Sequence, residues 1–517
     1  MKEQDMVLGL DIGTTSLKAV LFGPGGRMIA KHSSEYPLYQ PHPDWAEQDP
    51  EEILQGLVDA VRHVTFKCKA DVSRIKAIGF SSAMHSLIAL DGEGQPLTRS
   101  IVWTDNRSAE QAEKLKQGGG HDIYMRTGTP IHPMSPLCKL LWMKEKAPDI
   151  YNQAAMFAGI KEYIIYRLFD TYVMDYSVAS ATGLFELEKL DWDEGALKLL
   201  ELEPSRLPKL VPTTYVMKGM NKTLASHMGL GTDIPVVVGA SDGVLANLGV
   251  GAMGSGEVAV TIGTSGAVRM MSGKPLTDPQ QRTFCYALTD KHWVVGGPTN
   301  NGGIMLRWLR DQFGSPEVEV AKRLEMDPYD LMIKYAEKVP AGAEGLLFIP
   351  FLTGERAPIW DPDARGLFFG ISLRHQREHF IRAVLEGVIF SIFSIGVALR
   401  DLAGPATTII ASGGFARSAL WRQILSDVMG KELLVPEVEE ASALGAAAVA
   451  LYAIKDIDSL EEVKEWVRIS EKHEPNLQNS EVYLQLFDMY ERLYSKLKSE
   501  FSIMAEFQRS GSFLPKQ

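Results

Sequence analysis

Two short segments of this 517-residue chain have nearly the same sequence. In the first, an apolar run from Val7 leads into Ile12-Gly13-Thr14-Thr15, and in the second an apolar run from Val258 leads into Ile262-Gly263-Thr264-Ser265. A further apolar run follows each turn, which predicts a β-hairpin at both places. The two turns lie about half the chain length apart. The sequence therefore predicts two related halves, each presenting a Gly/Thr hairpin.

Hairpins of this kind suit a polyphosphate. A tight turn rich in glycine lets successive backbone N–H groups point at one anion, and the threonine hydroxyls add further donors. Asp11 stands in the first hairpin where Thr261 stands in the second. A carboxylate beside phosphates is unfavourable unless it holds Mg²⁺ directly or through water. We therefore expect a nucleotide with Mg²⁺ near Asp11, although an ordinary glycine turn explains either hairpin taken alone.

Composition excludes several other classes of protein. A hydrophobic content of 45% and a charged content of 23% are typical of a soluble globular protein, and the length favours two large domains. A net charge of −12 disfavours nucleic acid and acidic membranes as partners. Cys68, Cys138 and Cys285 are too widely spaced to indicate a zinc site or a disulfide framework. The chain enters its first strand without a signal-peptide pattern, so we expect a cytoplasmic protein.

Strand and helix patterns alternate along the chain, which is typical of α/β domains. We expect a first domain over residues 1–250 and a second over 251–517, with a charged helical tail after about residue 460. The apolar run 383–399 predicts a buried core helix because it is interrupted by Glu386 and two serines. Other predicted strands are 75–80, 101–103, 234–239, 346–351 and 408–411, and other predicted helices are 50–64, 108–115, 417–428 and 443–452.

A second phosphate-binding pattern lies near the C-terminal end. Ser412-Gly413-Gly414 follows a predicted strand and leads towards a helix, with Ser418 close to the start of that helix. A helix N-terminus presents unpaired N–H groups to an anion, and paired glycines let a flat base or ribose approach the backbone. Residues 442–448 are almost all small, which also fits a closely packed helix crossing without any ligand.

Several of these motifs, in this order, resemble the FGGY family of carbohydrate kinases. The resemblance covers roughly residues 6–455 and implies an actin-like ATPase (ribonuclease-H-like) fold, with two duplicated α/β domains around an interdomain cleft. It also implies that ATP and Mg²⁺ are used to phosphorylate a hydroxyl group. The motifs that carry it are Asp11-Ile12-Gly13-Thr14-Thr15, Trp103-Thr104-Asp105-Asn106-Arg107, Gly239-Ala240-Ser241-Asp242-Gly243, Thr261-Ile262-Gly263-Thr264-Ser265, Ser412-Gly413-Gly414-Phe415-Ala416-Arg417-Ser418 and Ser442-Ala443-Leu444-Gly445-Ala446.

The same resemblance assigns roles to individual residues. Asp242 matches the catalytic base, which would accept the proton of the attacking hydroxyl, and it also belongs to the substrate site. Asp11 matches the acid that organises Mg²⁺. The expected substrate contacts also include Met84, His85, Trp103 and Asp105. The expected nucleotide contacts are Gly13, Thr14, Thr15, Lys18, Gly263, Thr264, Gly413, Gly414 and Ser418.

The segment 80–87 resembles the gluconokinases within this family, so the expected reaction is ATP-dependent phosphorylation of D-gluconate. The substrate carboxylate then needs cationic or N–H partners, for which His85, Arg107, His132 and Lys161 are unranked candidates. Xylulose, or another pentulose or polyol, is the alternative substrate. A chaperone-type or actin-like ATPase without a sugar substrate is the alternative class. The expected partners are ATP and a sugar or sugar acid, with a homodimer left open.

Overall fold

The computed structural model describes residues 5–67 and 71–510, so the prediction for Cys68 lies outside the described residues. Its strands are β1 (Met6–Ile12), β2 (Ser16–Phe22), β3 (Met28–Glu35), β4 (Glu47–Gln48), β5 (Ile75–Ser82), β6 (Ile88–Leu90), β7 (Ser100–Ile101), β8 (Met156–Ala158), β9 (Val173–Asp175), β10 (Phe185–Glu186), β11 (Asp191–Trp192), β12 (Lys209–Val211), β13 (Val216–Met217), β14 (Val236–Ser241), β15 (Glu257–Ile262), β16 (Gly266–Ser272), β17 (Phe284–Ala287), β18 (Trp293–Thr299), β19 (Leu347–Ile349), β20 (Leu367–Phe369), β21 (Thr408–Ser412), β22 (Glu432–Pro436) and β23 (Ile469–His473).

The α-helices alternate with these strands along most of the chain. They are α1 (Pro50–Arg62), α2 (Ala109–Gln117), α3 (Gly120–Thr127), α4 (Pro136–Lys146), α5 (Pro148–Gln153), α6 (Ile160–Phe169), α7 (Tyr176–Ser180), α8 (Glu194–Leu200), α9 (Lys222–Met228), α10 (Asp242–Gly249), α11 (Ile304–Phe313), α12 (Ser315–Arg323), α13 (Pro328–Ala336), α14 (Arg377–Ala403), α15 (Ala419–Met429), α16 (Ala441–Ala453), α17 (Val463–Trp466) and α18 (Leu477–Ser510). The predicted helices and most of the predicted strands are confirmed. An exception is 101–103, because β7 ends at Ile101 and Trp103 follows in a turn.

The chain divides into two compact units, each assembled from separate stretches. The first unit consists of Met1–Met253, Met271–Val295 and Val438–Arg468, and the second of Gly254–Met270, Gly296–Glu437 and Ile469–Gln517. The contacts therefore assign two stretches beyond residue 250 to the first unit. The predicted domains 1–250 and 251–517 stay a prediction. The two units group residues that contact one another, and such a grouping does not test where the two related halves of the sequence begin and end.

The sheet of the first unit has the strand order β13-β14-β5-β1-β2-β3. Strands β1, β2 and β3 form an antiparallel meander, β5 and β14 add parallel to β1, and β13 closes the edge in antiparallel orientation. Apolar residues of β1 and β2, including Leu8, Leu10 and Leu21, pack with α1 in a buried core.

The second large sheet has the order β17-β18-β16-β15-β21-β22-β23, which repeats the first order with one additional edge strand, β17. Strand β15 lies between β16 and β21, β22 follows β21 in parallel, and β23 closes the edge in antiparallel orientation. On the other side, β18 lies next to β16. The matched order confirms the duplication that the two hairpins predicted. The segment after residue 460 is not only helical, because β23 belongs to the sheet.

Helix α16 lies closely on the first sheet. A Cβ atom added to Gly9 would come 2.3 Å from the carbonyl oxygen of Ala443, and one added to Gly79 would come 2.1 Å from that of Ala446. A Cβ atom on Gly445 would likewise lie 2.2 Å from the carbonyl oxygen of Leu245 in α10. The small residues of this helix therefore permit close backbone packing, which confirms the helix-crossing interpretation.

Helix α14 is long and apolar enough to cross a membrane by length and composition alone. In the second unit, however, most of its residues are buried. It also carries an ion pair between Arg382 and Glu386, to which Tyr483 is hydrogen-bonded. This packing confirms the predicted core helix. A buried core helix can be as long and as apolar as a membrane-spanning helix.

Candidate functional site

The first hairpin joins β1 to β2 in the first unit. Asp11, near the end of β1, lies opposite Lys18 of β2 and beside Ser81 of β5 in the strand register. The Ser81 hydroxyl donates a hydrogen bond of 2.7 Å to the Asp11 carboxylate. Burial raises the pKa of Asp11, and the contacts with Ser81 and Lys18 oppose that rise. The protein itself stabilises the ionised form of Asp11 only in part, so a cation beside this carboxylate would be favourable.

The turn of this hairpin is held in shape by its own backbone and by neighbouring side chains. The N–H group of Gly13 donates to the Ser16 carbonyl oxygen over 3.0 Å, and the Tyr36 hydroxyl donates to the carbonyl of Gly13. Thr14 is half-buried and Thr15 is exposed. The turn therefore keeps a fixed shape while its predicted phosphate contacts remain near the surface.

Lys18 has a partner that the sequence analysis did not identify. Its ammonium group lies 2.8 Å from a carboxylate oxygen of Glu440, the residue before α16. The side chain of Lys18 is 38% exposed. An anion approaching the hairpin would therefore compete with Glu440 for this cation. No local pattern indicates Glu440, because it lies in an acidic run far along the chain.

Trp103 is oriented towards the first hairpin. Its indole N–H donates a hydrogen bond of 2.8 Å to the Thr14 hydroxyl. A residue predicted to contact the substrate is thus connected directly to a residue predicted to contact phosphate. Trp103 is half-buried, so it does not belong to the core as a strand position would have implied.

His85 is held in an unusual backbone conformation. Its φ is +70°, in the left-handed region that non-glycine residues rarely adopt, and its side chain is almost buried. The ring nitrogen Nδ1 lies 2.7 Å from the carbonyl oxygen of Ala181. Because a carbonyl can only accept, Nδ1 is assigned as the protonated nitrogen, which makes Nε2 the acceptor nitrogen of the neutral ring. Such strain is found most often at functional sites.

Met84, next to His85, is partly buried and packs against the apolar core that contains α16. The side chain therefore has apolar neighbours within the first unit. Its contact with a substrate stays a prediction.

Asp105 occupies a different environment from the one that a substrate contact requires. It is completely buried, and its carboxylate accepts hydrogen bonds from the backbone of Ala46 and from the guanidinium of Arg107. Arg107 also pairs with Glu47 and lies 3.9 Å above the ring of Trp45. Arg107 is therefore paired with acids inside the protein. Both charged groups are hydrogen-bonded within the protein, and Asp105 lies beneath the protein surface.

Lys161 is also paired with an acidic residue inside the protein. It is buried, and its ammonium group lies 2.5 Å from the carboxylate of Asp175. His132, another candidate for binding a substrate carboxylate, is half-buried, and its Nδ1 accepts a hydrogen bond from the backbone N–H of Met134. Recruiting Lys161 to a substrate would cost the charge pairing of Asp175 in the interior.

Asp242 is the first residue of α10, directly after β14. Its carboxylate accepts a hydrogen bond of 2.6 Å from the backbone N–H of Gly243, and its side chain is half-buried. The preceding residue, Ser241, is buried and lies 2.9 Å from the hydroxyl of Ser177. An acidic residue at a helix N-terminus interacts favourably with the helix dipole. The strand end thus holds a carboxylate in a defined position.

The second hairpin joins β15 to β16 and repeats several contacts of the first. Thr261 lies beside Ser412 in the strand register, and their hydroxyls are 2.9 Å apart. The N–H group of Gly303 donates to the carbonyl of Gly263 over 2.7 Å. A Cβ atom on Gly302 would lie 2.6 Å from the backbone of Ser265. The Gly302-Gly303 pair, which the sequence analysis missed, could have been found because it also lies between a strand and a helix.

A cavity of about 560 Å³ opens beside this hairpin within the second unit. Four of the predicted nucleotide contacts, Gly263, Thr264, Gly414 and Ser418, line it together, and Gly413 adjoins them. The walls also include apolar and charged side chains from α11, α13 and the loop before α13: Leu306, Arg307, Met326, Asp327, Tyr329, Asp330, Ile333, Lys334 and Glu337. A volume of this size, with apolar walls and convergent polar groups, is typical of a small-molecule site.

The glycines at this cavity differ in how much open space lies beside them. A Cβ atom on Gly414 would have no neighbour within 4 Å, and one on Gly263 would meet only an oxygen of Ser265 at 4.0 Å. By contrast, Gly413 has a φ of +95°, and its Cβ atom would lie 2.5 Å from the Ile262 carbonyl oxygen. Gly413 is therefore required by the backbone, whereas the space beside Gly263 and Gly414 suits a closely approaching ligand such as a nucleotide.

Asp11 fits the requirements of Mg²⁺. The described residues contain no group of three or more His, Cys, Asp and Glu side chains that could hold a metal ion. Mg²⁺ typically binds through one or two carboxylates together with waters and substrate phosphates. The Asp11 carboxylate can supply one such ligand beside a turn that is predicted to bind phosphate.

Comparison with known proteins gives matches over nearly the whole chain. The N-terminal domain of the FGGY family of carbohydrate kinases matches residues 6–249, and the C-terminal domain matches residues 258–454. The gluconokinase of Bacillus subtilis (strain 168) is 50% identical over 505 residues, covering 97% of this chain and 98% of that protein. Two solved Lactobacillus acidophilus structures, described as a gluconate kinase and a ligand-bound xylulose kinase, each show 35% identity and a TM-score of 0.91, covering 96% of this chain and 99% of theirs. These matches confirm the predicted fold class.

Proposed function

Since this chain belongs to the FGGY family of carbohydrate kinases, we propose that it transfers the γ-phosphoryl group of ATP to the terminal hydroxyl of D-gluconate. The products are 6-phospho-D-gluconate and ADP. The observation that carries the substrate assignment is the similarity to a gluconokinase over nearly the full length of both chains. The similarity extends over the segments proposed for the substrate as well as over the proposed nucleotide-binding turns, which supports this assignment.

The base in this proposal is Asp242. Its carboxylate accepts the proton of the gluconate hydroxyl as the oxygen attacks the γ-phosphorus, and the bond to the β-phosphate oxygen breaks. The position of Asp242 at the end of a buried strand and the start of a helix supports this role, because both elements fix the carboxylate in place.

In the second unit, the nucleotide contacts of this proposal are the turn of the second hairpin and the Ser412–Ser418 segment. The cavity beside Gly263 and Gly414 takes the nucleotide against Leu306, Ile333 and Phe415. On the other half, Gly13, Thr14, Thr15 and Lys18 contact the phosphates, which requires Lys18 to leave Glu440 or to be shared with it. Asp11 holds Mg²⁺, which neutralises charge on the phosphates when it is bound.

The sugar acid is contacted by Met84, His85, Trp103 and Asp242. When the His85 ring is neutral, its Nε2 accepts a hydrogen bond from a substrate hydroxyl. When the ring is protonated, Nε2 donates one to the carboxylate. Asp105 supports the Trp103 segment from the interior, since its backbone N–H group donates to the carbonyl of Val102 over 3.1 Å. Because Arg107 and Lys161 are already paired with acids, His85 and His132 are favoured as partners of the gluconate carboxylate. We also propose that the enzyme is cytoplasmic, as a kinase that depends on ATP.

A coupled ADP-release assay against a panel of acceptors tests the substrate assignment. D-gluconate should give the highest kcat/KM, and mass spectrometry should detect one phosphoryl group added to it. The panel includes D-xylulose, because one of the two equally similar solved structures is described as a xylulose kinase. Preference for xylulose or another neutral acceptor would refute the gluconate assignment. Release of inorganic phosphate without a phosphorylated acceptor would indicate an ATPase of another class.

A further inference from the structure

Lys139 is a buried lysine that none of the assigned roles uses. It lies on α4 and its side chain is completely inaccessible to solvent. A buried ammonium group is unfavourable unless its protons are matched by acceptors. Its position in the interior of the first unit therefore demands an explanation.

The acceptors of Lys139 are all backbone carbonyls at the proposed sugar site. The ammonium nitrogen lies 2.5 Å from the carbonyl oxygen of His85, 3.1 Å from that of Ile101 and 2.9 Å from that of Val102. An ammonium group has three protons, so three carbonyls satisfy it completely. One contact fixes the residue that contacts the sugar, and the other two fix the chain immediately before Trp103.

The contact with His85 bears on its strained backbone. A non-glycine residue with a φ of +70° relaxes unless its surroundings hold it. The lysine holds the carbonyl of His85, and Ala181 holds the ring, so both ends of the residue are fixed. Loss of either contact would allow the imidazole to move away from the substrate.

Helix α4 is itself well anchored, which makes Lys139 a firm support. Pro136 opens the helix and Ser135 caps it by accepting a hydrogen bond from the N–H group of Cys138. The N–H group of Leu137 donates to the carbonyl of Thr182 over 2.9 Å. The lysine therefore projects from a fixed helix end and not from a flexible loop.

We propose that Lys139 is a positioning residue of the sugar site, which holds the His85 and Trp103 backbone segments in their substrate-binding arrangement through three carbonyl contacts. It touches neither the nucleotide nor the reacting atoms. Among the charged groups that act on it, Asp105 favours the ammonium form and Arg107 disfavours it. Burial lowers the pKa of Lys139 to about 7, whereas hydrogen bonds from the ammonium group to carbonyl oxygens favour the charged form.

The test compares Lys139→Met with Lys144→Met. The second lysine lies on the same helix, but its side chain is 29% exposed and pairs with Glu201. Lys139→Met should raise the KM for the sugar acid by about tenfold or more. The KM for ATP should change less than about twofold, because Lys139 contacts none of the proposed nucleotide-binding residues and only the bond from Trp103 to Thr14 connects the two sets. Lys144→Met should leave both values unchanged.

Lys139→Gln provides a milder variant, since its amide retains two N–H donors for the three carbonyls. We expect an intermediate KM for the sugar acid. Unchanged KM values in both variants, or equal increases for the sugar and for ATP, would overturn the proposal. Failure of both variants to fold would also overturn it, because the lysine would then serve stability alone.

This inference rests on the proposed function, so the wild-type enzyme is assayed first. Absence of turnover with gluconate would refute that function without deciding the role of Lys139. The variants are then measured with whichever acceptor the wild-type enzyme phosphorylates, and the same separation between the sugar KM and the ATP KM decides the role of the lysine.

Discussion

The Ser81 hydroxyl donates a hydrogen bond of 2.7 Å to the carboxylate of Asp11 on the neighbouring strand. In the second unit, Ser412 and Thr261 occupy the corresponding strands with their hydroxyls 2.9 Å apart. Each half of the duplication therefore places a serine beside the hairpin residue that precedes the Ile-Gly-Thr turn. Only the first half combines this serine with a charge.

Ser81→Ala should shift the pH dependence of activity. Burial raises the pKa of Asp11 and the bond from Ser81 opposes that rise, so removing the hydroxyl raises the pKa further. If Mg²⁺ requires the ionised carboxylate, the acid limb of the kcat/KM profile should move to higher pH, by about one unit for a charge-assisted hydrogen bond. Ser412→Ala is the matched control and should leave the limb in place. A profile that Ser81→Ala does not alter would argue against an ionised Asp11 at the metal.

Asp242→Asn should retain nucleotide binding but lose phosphoryl transfer. The amide cannot accept the proton of the attacking hydroxyl, and we expect kcat to fall by about 10²-fold or more. Single-turnover kinetics measure the loss, and calorimetry measures ATP binding. Asp233→Asn, at an exposed position before β14, should behave as the wild type. Near-normal turnover in Asp242→Asn would exclude its role as the base.

Gly414→Ala should weaken nucleotide binding without affecting the fold. The added methyl group meets no protein atom within 4 Å, but it enters the cavity proposed for the nucleotide. We expect the KM for ATP to rise by about tenfold, corresponding to ~1.4 kcal/mol, while Tm and the KM for the sugar acid stay constant. Gly273→Ala, which also has no neighbours within 4 Å, is the control. An unchanged KM for ATP would place the nucleotide elsewhere.

Glu162→Gln should change the pH dependence of stability. Glu162 is buried beside Lys161 and Asp175, and burial raises its pKa from 4.5 to about 7. A raised carboxyl pKa gives stability that is full below pH 4.5 and is lost as the pH rises to about 7. Glutamine lacks this dependence. The Tm of the variant relative to the wild type should therefore increase between pH 5 and 7 and then level off.

The size of that effect is bounded by the shift, at about 3 kcal/mol or less. Differential scanning calorimetry at several pH values measures it. The exposed Glu188→Gln serves as the control and should show a constant Tm difference. A constant difference for Glu162→Gln as well would mean that the buried carboxyl group titrates normally.

Much of the fold is predictable because backbone geometry leaves a local record in the sequence. Glycines at turns, apolar runs of strand length and the spacing of the two hairpins are enough to indicate the duplicated sheets. The predicted strand over 101–103 is too long, because Trp103 donates to Thr14 from a turn after β7. That contact joins residues 89 positions apart and leaves no trace in either segment.

The candidate site is predictable only in part, since residue type does not show how a charge is used. Asp105 and Lys161 have the chemistry of substrate ligands, but each is buried against a partner of opposite charge. Lys18 pairs with Glu440 across 422 positions. The carbonyls that hold Lys139 likewise belong to other segments of the chain.

The sequence by itself determined the duplicated α/β architecture and the positions of the two Ile-Gly-Thr hairpin turns, because glycine content and apolar periodicity act over a few neighbouring residues. The tertiary structure alone decided which polar side chains remain near the surface for ligands and which are paired with other groups in the interior. That division depends on burial and long-range pairing, since a charge taken out of water must find its partner wherever the fold places one.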